Sequence, residues 1–170
     1  MKPIRIFAFL ALALSFAAIN ADAQKTRKPP ATPKVVTSTT LPAANEVKTG
    51  SDKVSIQIKN VTKYIFVLGG AATGIETLDK DPRANQAARD SNAANKQKLM
   101  QTIRNLRAGL AALEVEFRTK PLLKKYLIQI QGITDLTAQS EDLAAAGRFS
   151  ESGRPLLLVV EKLSDTLAAM

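Results

Sequence analysis

Side chains suited to chemistry are scarce in this sequence. His and Cys are both absent from its 170 residues. Their absence removes the usual zinc, copper and haem ligands, the bases of serine and cysteine hydrolases, and the side chain that titrates near neutral pH. Carboxylates alone can hold magnesium or calcium, but no acidic cluster has calcium-loop spacing. Glu114 and Glu116 are two residues apart, so on a helix they point to different sides and share no cleft. No carboxylate, Lys or Tyr stands out as a general base. The expectation is a protein that is not an enzyme and needs no cofactor or metal. Arg118, Lys120, Lys124 and Lys125 crowd one short stretch. With a helix expected to start at Pro121, free backbone N–H groups there would add to the attraction for anions. These four residues are the candidate anion or partner-binding site, with a solvated lysine face as the alternative.

A second feature is rich in glycine. The run Phe66-Val67-Leu68-Gly69-Gly70-Ala71-Ala72-Thr73-Gly74-Ile75 resembles the nucleotide-binding start of short-chain dehydrogenases, where glycines let backbone amides approach a pyrophosphate. Glu76 stands at that motif's last glycine, and neither Tyr64 nor Tyr126 is followed four residues later by Lys. Ile75 and Glu76 also stand where a Walker loop needs Lys and Ser or Thr. A nucleotide site is therefore not expected. Each glycine costs a helix about 0.5–1 kcal/mol relative to Ala, and Gly70 and Gly74 lie one turn apart. Gly69, Gly70 and Gly74 are accordingly expected to form a close-packing face for a neighbouring helix, or one wall of a cavity for a small apolar ligand. On the close-packing reading, Gly70→Leu should lower the melting temperature sharply.

The elements that would position these residues are helices. Val54, Ile58, Val61, Ile65, Leu68, Ala72 and Ile75 recur at steps of four and three, widened by Tyr64, Val67, Ala71 and Leu78. That is a broad amphipathic stripe, with Ser51 or Asp52 as its cap. A hairpin over residues 54–68 is the competing reading, because Val54, Ile56 and Ile58 alternate. Leu99, Ile103, Leu106, Leu110, Leu113 and Phe117 mark a second helix, starting between Pro82 and Ser91 with Asp81-Pro82 as one start signal. Pro121 opens a third, running to Gly147 through Leu122, Leu123, Tyr126, Leu127, Ile130, Ile133, Leu136 and Leu143. Ser150 to Pro155 reads as a break before a fourth, with Leu156, Val160, Leu163, Leu167 and Met170. Four amphipathic helices with short links predict an all-α fold, an up-down-up-down four-helix bundle over residues 51–170.

Residues 1–23 read as a secretory signal. Lys2 and Arg5 precede an apolar run from Ile6 to Ala18, and Ala21-Asp22-Ala23 supplies the small residues a signal peptidase selects. The run is shorter than the ~18–20 residues of a membrane span. Cleavage near Ala23 would place the protein in the periplasm or outside the cell. Residues 24–50 are rich in Pro, Thr and Lys without apolar periodicity and read as a flexible linker. They carry Lys25, Arg27, Lys28, Lys34 and Lys48 against Glu46, a net charge of +4. The whole chain is +9, so the helical part is only mildly basic. Export and mild charge argue against nucleic acid as a partner. The expected role is binding or structural in the cell envelope, toward a protein, an anionic envelope component or a membrane surface. Heptad-like stripes leave a homodimer open, and a periplasmic carrier of a small apolar ligand near Gly69–Gly74 is the second reading.

Overall fold

A computed structural model describes the backbone of residues 41–170 and the side chains from residue 44 onward. The signal assigned to residues 1–23 and most of the proposed linker, residues 24–40, lie outside the described residues. The described chain is helical throughout, with no strand among those residues. Helix α1 spans Leu41–Lys80 and α2 spans Gln86–Thr119. A 3-10 turn, Lys124–Tyr126, leads into the one-turn α3, Leu127–Ile130. Helices α4, Ile133–Ala145, and α5, Phe149–Ala169, complete the chain.

Two local expectations are corrected. Helix α1 begins at Leu41, ten residues before the expected Ser51, so residues 41–50 belong to a helix and not to a flexible linker. Aperiodic composition hid this start, because Gly50 is a buried contact of α1 (below) and offers no apolar side chain to count. Residues 54–68 are helix, as the four-three spacing predicts, and the competing hairpin is not formed. The cap of α2 is Asn85, whose side chain accepts the Ala88 N–H at 2.8 Å. Asp81 instead accepts the Arg83 N–H at 2.8 Å, which makes Asp81-Pro82 part of the turn rather than a helix start.

The expected third helix is interrupted. Gly132 adopts φ +88°, a left-handed conformation natural to glycine alone, and it separates α3 from α4. At the far end of α4, Gly147 has φ +79°. Its N–H donates to the Ala144 carbonyl at 3.0 Å, and the Arg148 N–H donates to the Leu143 carbonyl at 2.9 Å, the paired bonds of a Schellman stop. Helix α5 then starts at Phe149, before the expected break, and contains Pro155. Proline cannot donate to the carbonyl four residues back and crowds that turn. The carbonyl it leaves without a helical donor is that of Glu151; the adjacent Ser152 carbonyl accepts the Ser140 hydroxyl at 2.7 Å, which ties α4 to α5 beside the proline.

The stripes of the four long helices meet in one core. Val54, Val61, Leu68, Ile103, Leu110, Phe117, Ile130, Ile133, Phe149, Leu156 and Leu163 are all buried in it. All six predicted α2 positions are buried, whereas Val67, expected on the α1 stripe, is exposed. Helix α1 packs on α2 and α5, and α4 packs on the same two helices. The α1–α2 pair is antiparallel: Lys53 meets Glu116, Tyr64 meets Leu99, and Asn92 donates to the Ile75 carbonyl. Helices α2 and α4 are likewise antiparallel, with Glu114 at Thr134 and Arg104 at Glu141. No helix among the described residues is long and apolar enough to cross a membrane.

Candidate functional site

Most of the ionisable side chains singled out by the sequence are engaged in holding helices together. Glu114 faces the start of α4, which has no capping side chain of its own. Its carboxylate accepts the Gly132 N–H at 3.2 Å, the Thr134 N–H at 3.3 Å and the Thr134 hydroxyl at 2.8 Å, and it pairs with Arg118 at 3.3 Å. Glu116 points the other way, toward Lys53 at 2.6 Å and Lys120. Burial raises the Glu116 pKa, but hydrogen bonds from Lys120 and Lys53 outweigh this and hold its carboxyl below the usual range. Hydrogen bonding from Arg104, aided by Arg107, does the same for Glu141. The two glutamates thus diverge as their spacing implies. Tyr64 is buried, and desolvation pushes its phenol well above the ordinary range.

The four basic residues of the candidate anion site divide into two kinds. Arg118 and Lys120 are neutralised by Glu114 and Glu116. Lys124 and Lys125 have no acidic partner among the described residues, and Lys125 lies 4.7 Å from the centre of the Tyr126 ring. They sit on a 3-10 turn, not on the first turn of a long α-helix, so the expected array of free N–H groups is missing. The Leu122 N–H is already bonded to Glu46 at 3.2 Å. What remains is a solvent-facing surface. Leu123, Tyr126 and Ile130 point inward and are buried, while Leu122, Lys124, Lys125 and Ile128 point outward, Ile128 being 71% exposed.

The glycine face is placed differently from its expectation. Gly69, Gly70 and Gly74 lie on the outer side of α1, and a Cβ added to any of them would meet nothing within 4 Å. Among the described residues no helix packs there, and these glycines line no cavity between helices. Phe66, 83% exposed, and Val67 share that outer surface. Spacing alone does not say which side of a helix faces the core. A close-packing glycine is found instead at Gly50, where a Cβ would lie 2.7 Å from Leu123 Cδ2 and 3.1 Å from Met170 Cε. Its position within a Lys-, Thr- and Pro-rich stretch gave no signal of this.

One groove follows the corner where α1 meets the α4–α5 turn, lined by Glu76, Asp79, Lys80, Arg148, Ser150 and Glu151. Its acids are engaged too. Glu76 accepts the Ser150 N–H at 2.7 Å, Asp79 binds Asn92 at 2.8 Å and pairs with Lys96, and Glu151 pairs with Arg148. Among the described residues no group of three acidic side chains converges on a point that would hold a metal ion. No protein-family model, curated protein or solved structure matches this chain.

Proposed function

We propose that this is an exported, non-enzymatic protein with a binding or structural role in the cell envelope, acting through the surface at Leu122–Ile128. The observation that carries the reading is Lys124 and Lys125, unpaired among the described residues, beside exposed Leu122 and Ile128. Lone exposed apolar residues are ordinary; apolar residues interleaved with uncompensated cations form a contact surface for something both anionic and apolar. Its four long helices form an up-down-up-down bundle, a reading supported by the antiparallel partners of α1, α2 and α4 and by the short links. The signal at residues 1–23 directs it to the periplasm or beyond, with cleavage near Ala23. The carrier alternative finds no support at Gly69–Gly74, whose outer face encloses nothing among the described residues.

Fractionation of the exporting cells tests this. The protein is expected in the envelope fraction with a new N-terminus near Gln24, and the Lys124→Glu, Lys125→Glu double variant is expected to shift to the soluble periplasmic or secreted fraction. An intact N-terminus in the cytoplasm, or a wild-type protein that no envelope fraction retains, overturns the proposal.

A further inference from the structure

We infer that residues 121–131 form a strap that opens as a unit while the four long helices stay folded. The strap joins α2 to α4 and consists of a 3-10 turn, Lys124–Tyr126, and the single turn of α3, Leu127–Ile130. A 3-10 turn has poorer hydrogen-bond geometry than an α-helix. A single α-helical turn carries the cost of nucleation without the propagation that offsets it. What keeps the strap closed is therefore its attachment to the rest of the molecule.

That attachment is narrow. Each end is held by one carboxylate from another helix: Glu46 of α1 accepts the Leu122 N–H at 3.2 Å, and Glu114 of α2 accepts the Gly132 N–H at 3.2 Å. Between these ends Leu123, Tyr126 and Ile130 are buried. Leu123 lies so near α1 that a Cβ on Gly50 would be 2.7 Å from its Cδ2. The Tyr126 hydroxyl comes no closer than 3.5 Å to the Met170 carbonyl, a distance at which a hydrogen bond is weak. One interior group opposes closure. The Gln129 Oε1 is buried without a hydrogen-bond partner among the described residues, and such an acceptor regains its bond when water reaches it.

Both ends also have the backbone of a hinge. Lys120 leaves α2 in an extended conformation, φ −82° and ψ 124°, and Pro121 follows with no N–H to lose. Gly132 sits at φ +88°, and glycine moves in and out of that region without a steric cost. Rotation at these two points frees the strap without unwinding α2. It also turns Leu123, Tyr126 and Ile130 outward on the segment that already exposes Leu122 and Ile128. Segments held by little buried surface are the ones that open locally below the free energy of global unfolding.

Native-state hydrogen exchange of the full chain, read by mass spectrometry on its fragments, tests this. Amides of the strap are expected to show protection at least about tenfold lower than those at the centres of α2 and α5. Gly50→Ala, which crowds Leu123, should lower the strap's protection further. Gln129→Leu, which removes the unpartnered acceptor, should raise it by about tenfold. In both variants the centres of α2 and α5 should exchange as in the wild type. Strap amides protected as strongly as those of α2 and α5 overturn the inference. So does a change that either variant spreads evenly over strap and helices, because strap and bundle would then open together. The envelope role is read from fractionation and stands or falls apart from this result.

Discussion

The Glu76 carboxylate on α1 accepts the Ser150 backbone N–H at 2.7 Å, supplying from another helix the cap that α5 lacks. Arg148, the residue at α5's cap position, makes no side-chain capping bond. The first N–H groups of any helix have no partner within it, and a carboxylate is favoured there because it also meets the positive end of the helix dipole. The pattern recurs. Glu114 on α2 caps α4, and Glu46 on α1 holds the Leu122 N–H in the turn after α2. Each of these carboxylates joins two elements that are distant in sequence.

Glu114 should be the most costly of the three to lose. Its removal leaves the Gly132 and Thr134 N–H groups part-buried without their acceptor, and Arg118 without its pair. Glu114→Ala is expected to destabilise by about 2 kcal/mol, within the range for an unsatisfied group bonded to a charge. Glu76→Ala, at the exposed start of α5, should cost about 1 kcal/mol, typical of a lost cap. Chemical denaturation of the two variants measures the difference; equal losses would contradict the ordering.

Glycines 50 and 70 should respond oppositely to enlargement. Gly50→Leu forces side-chain atoms against Leu123 and Met170 and is expected to destabilise by about 1–3 kcal/mol, the usual cost of overpacking. Gly70→Ala meets open space and removes a glycine from a helix interior, so it should stabilise by about 0.5–1 kcal/mol. Gly70→Leu, expected from sequence to be damaging, should leave the melting temperature unchanged or higher. Thermal scans of the three variants decide this.

Acid should weaken the fold through Glu116 and Glu141. Both carboxyls have folded-state pKa values below their ordinary range, so in acid the unfolded chain binds more protons than the folded one. Their stabilisation is complete above the ordinary carboxylate range near pH 4 and is lost as pH falls through the lowered folded values. Urea midpoints at neutral and acidic pH should show the fall. Glu116→Gln with Glu141→Gln should be less stable at neutral pH and show a shallower acid decline. A double variant with the wild-type pH profile would show that other groups govern acid stability.

The hydroxyl of Ser140 should matter more than its small size suggests. Both Ser140 and Ser152 are buried, and the bond between them lies beside Pro155. Ser140→Ala leaves a buried carbonyl without that donor and is expected to cost about 1–2 kcal/mol. The same exchange at exposed Ser164, which bonds within its own helix to the Val160 carbonyl, should change stability by less than about 0.5 kcal/mol. Paired denaturation curves give the comparison.

Periodicity by itself determined that this chain is helical and which side of α2 is core, because burial of a stripe demands its repeat, and that demand is local. Pro121 marked the end of α2, since proline lacks the N–H a helix interior uses and crowds the preceding turn. The turn at Gly132 and the helical placement of Pro155 were decided in three dimensions. Glu114 and Ser140, distant in sequence, supply the hydrogen bonds that accompany these irregularities. The same holds for the candidate site. The sequence named four basic residues, but only packing showed that Glu114 and Glu116 neutralise two of them and that Lys124 and Lys125 face solvent with Ile128. It likewise took the neighbours of α1 to exchange the roles of Gly70 and Gly50. Whether a glycine admits a close contact depends on what stands opposite it, and a linear pattern carries no information about that.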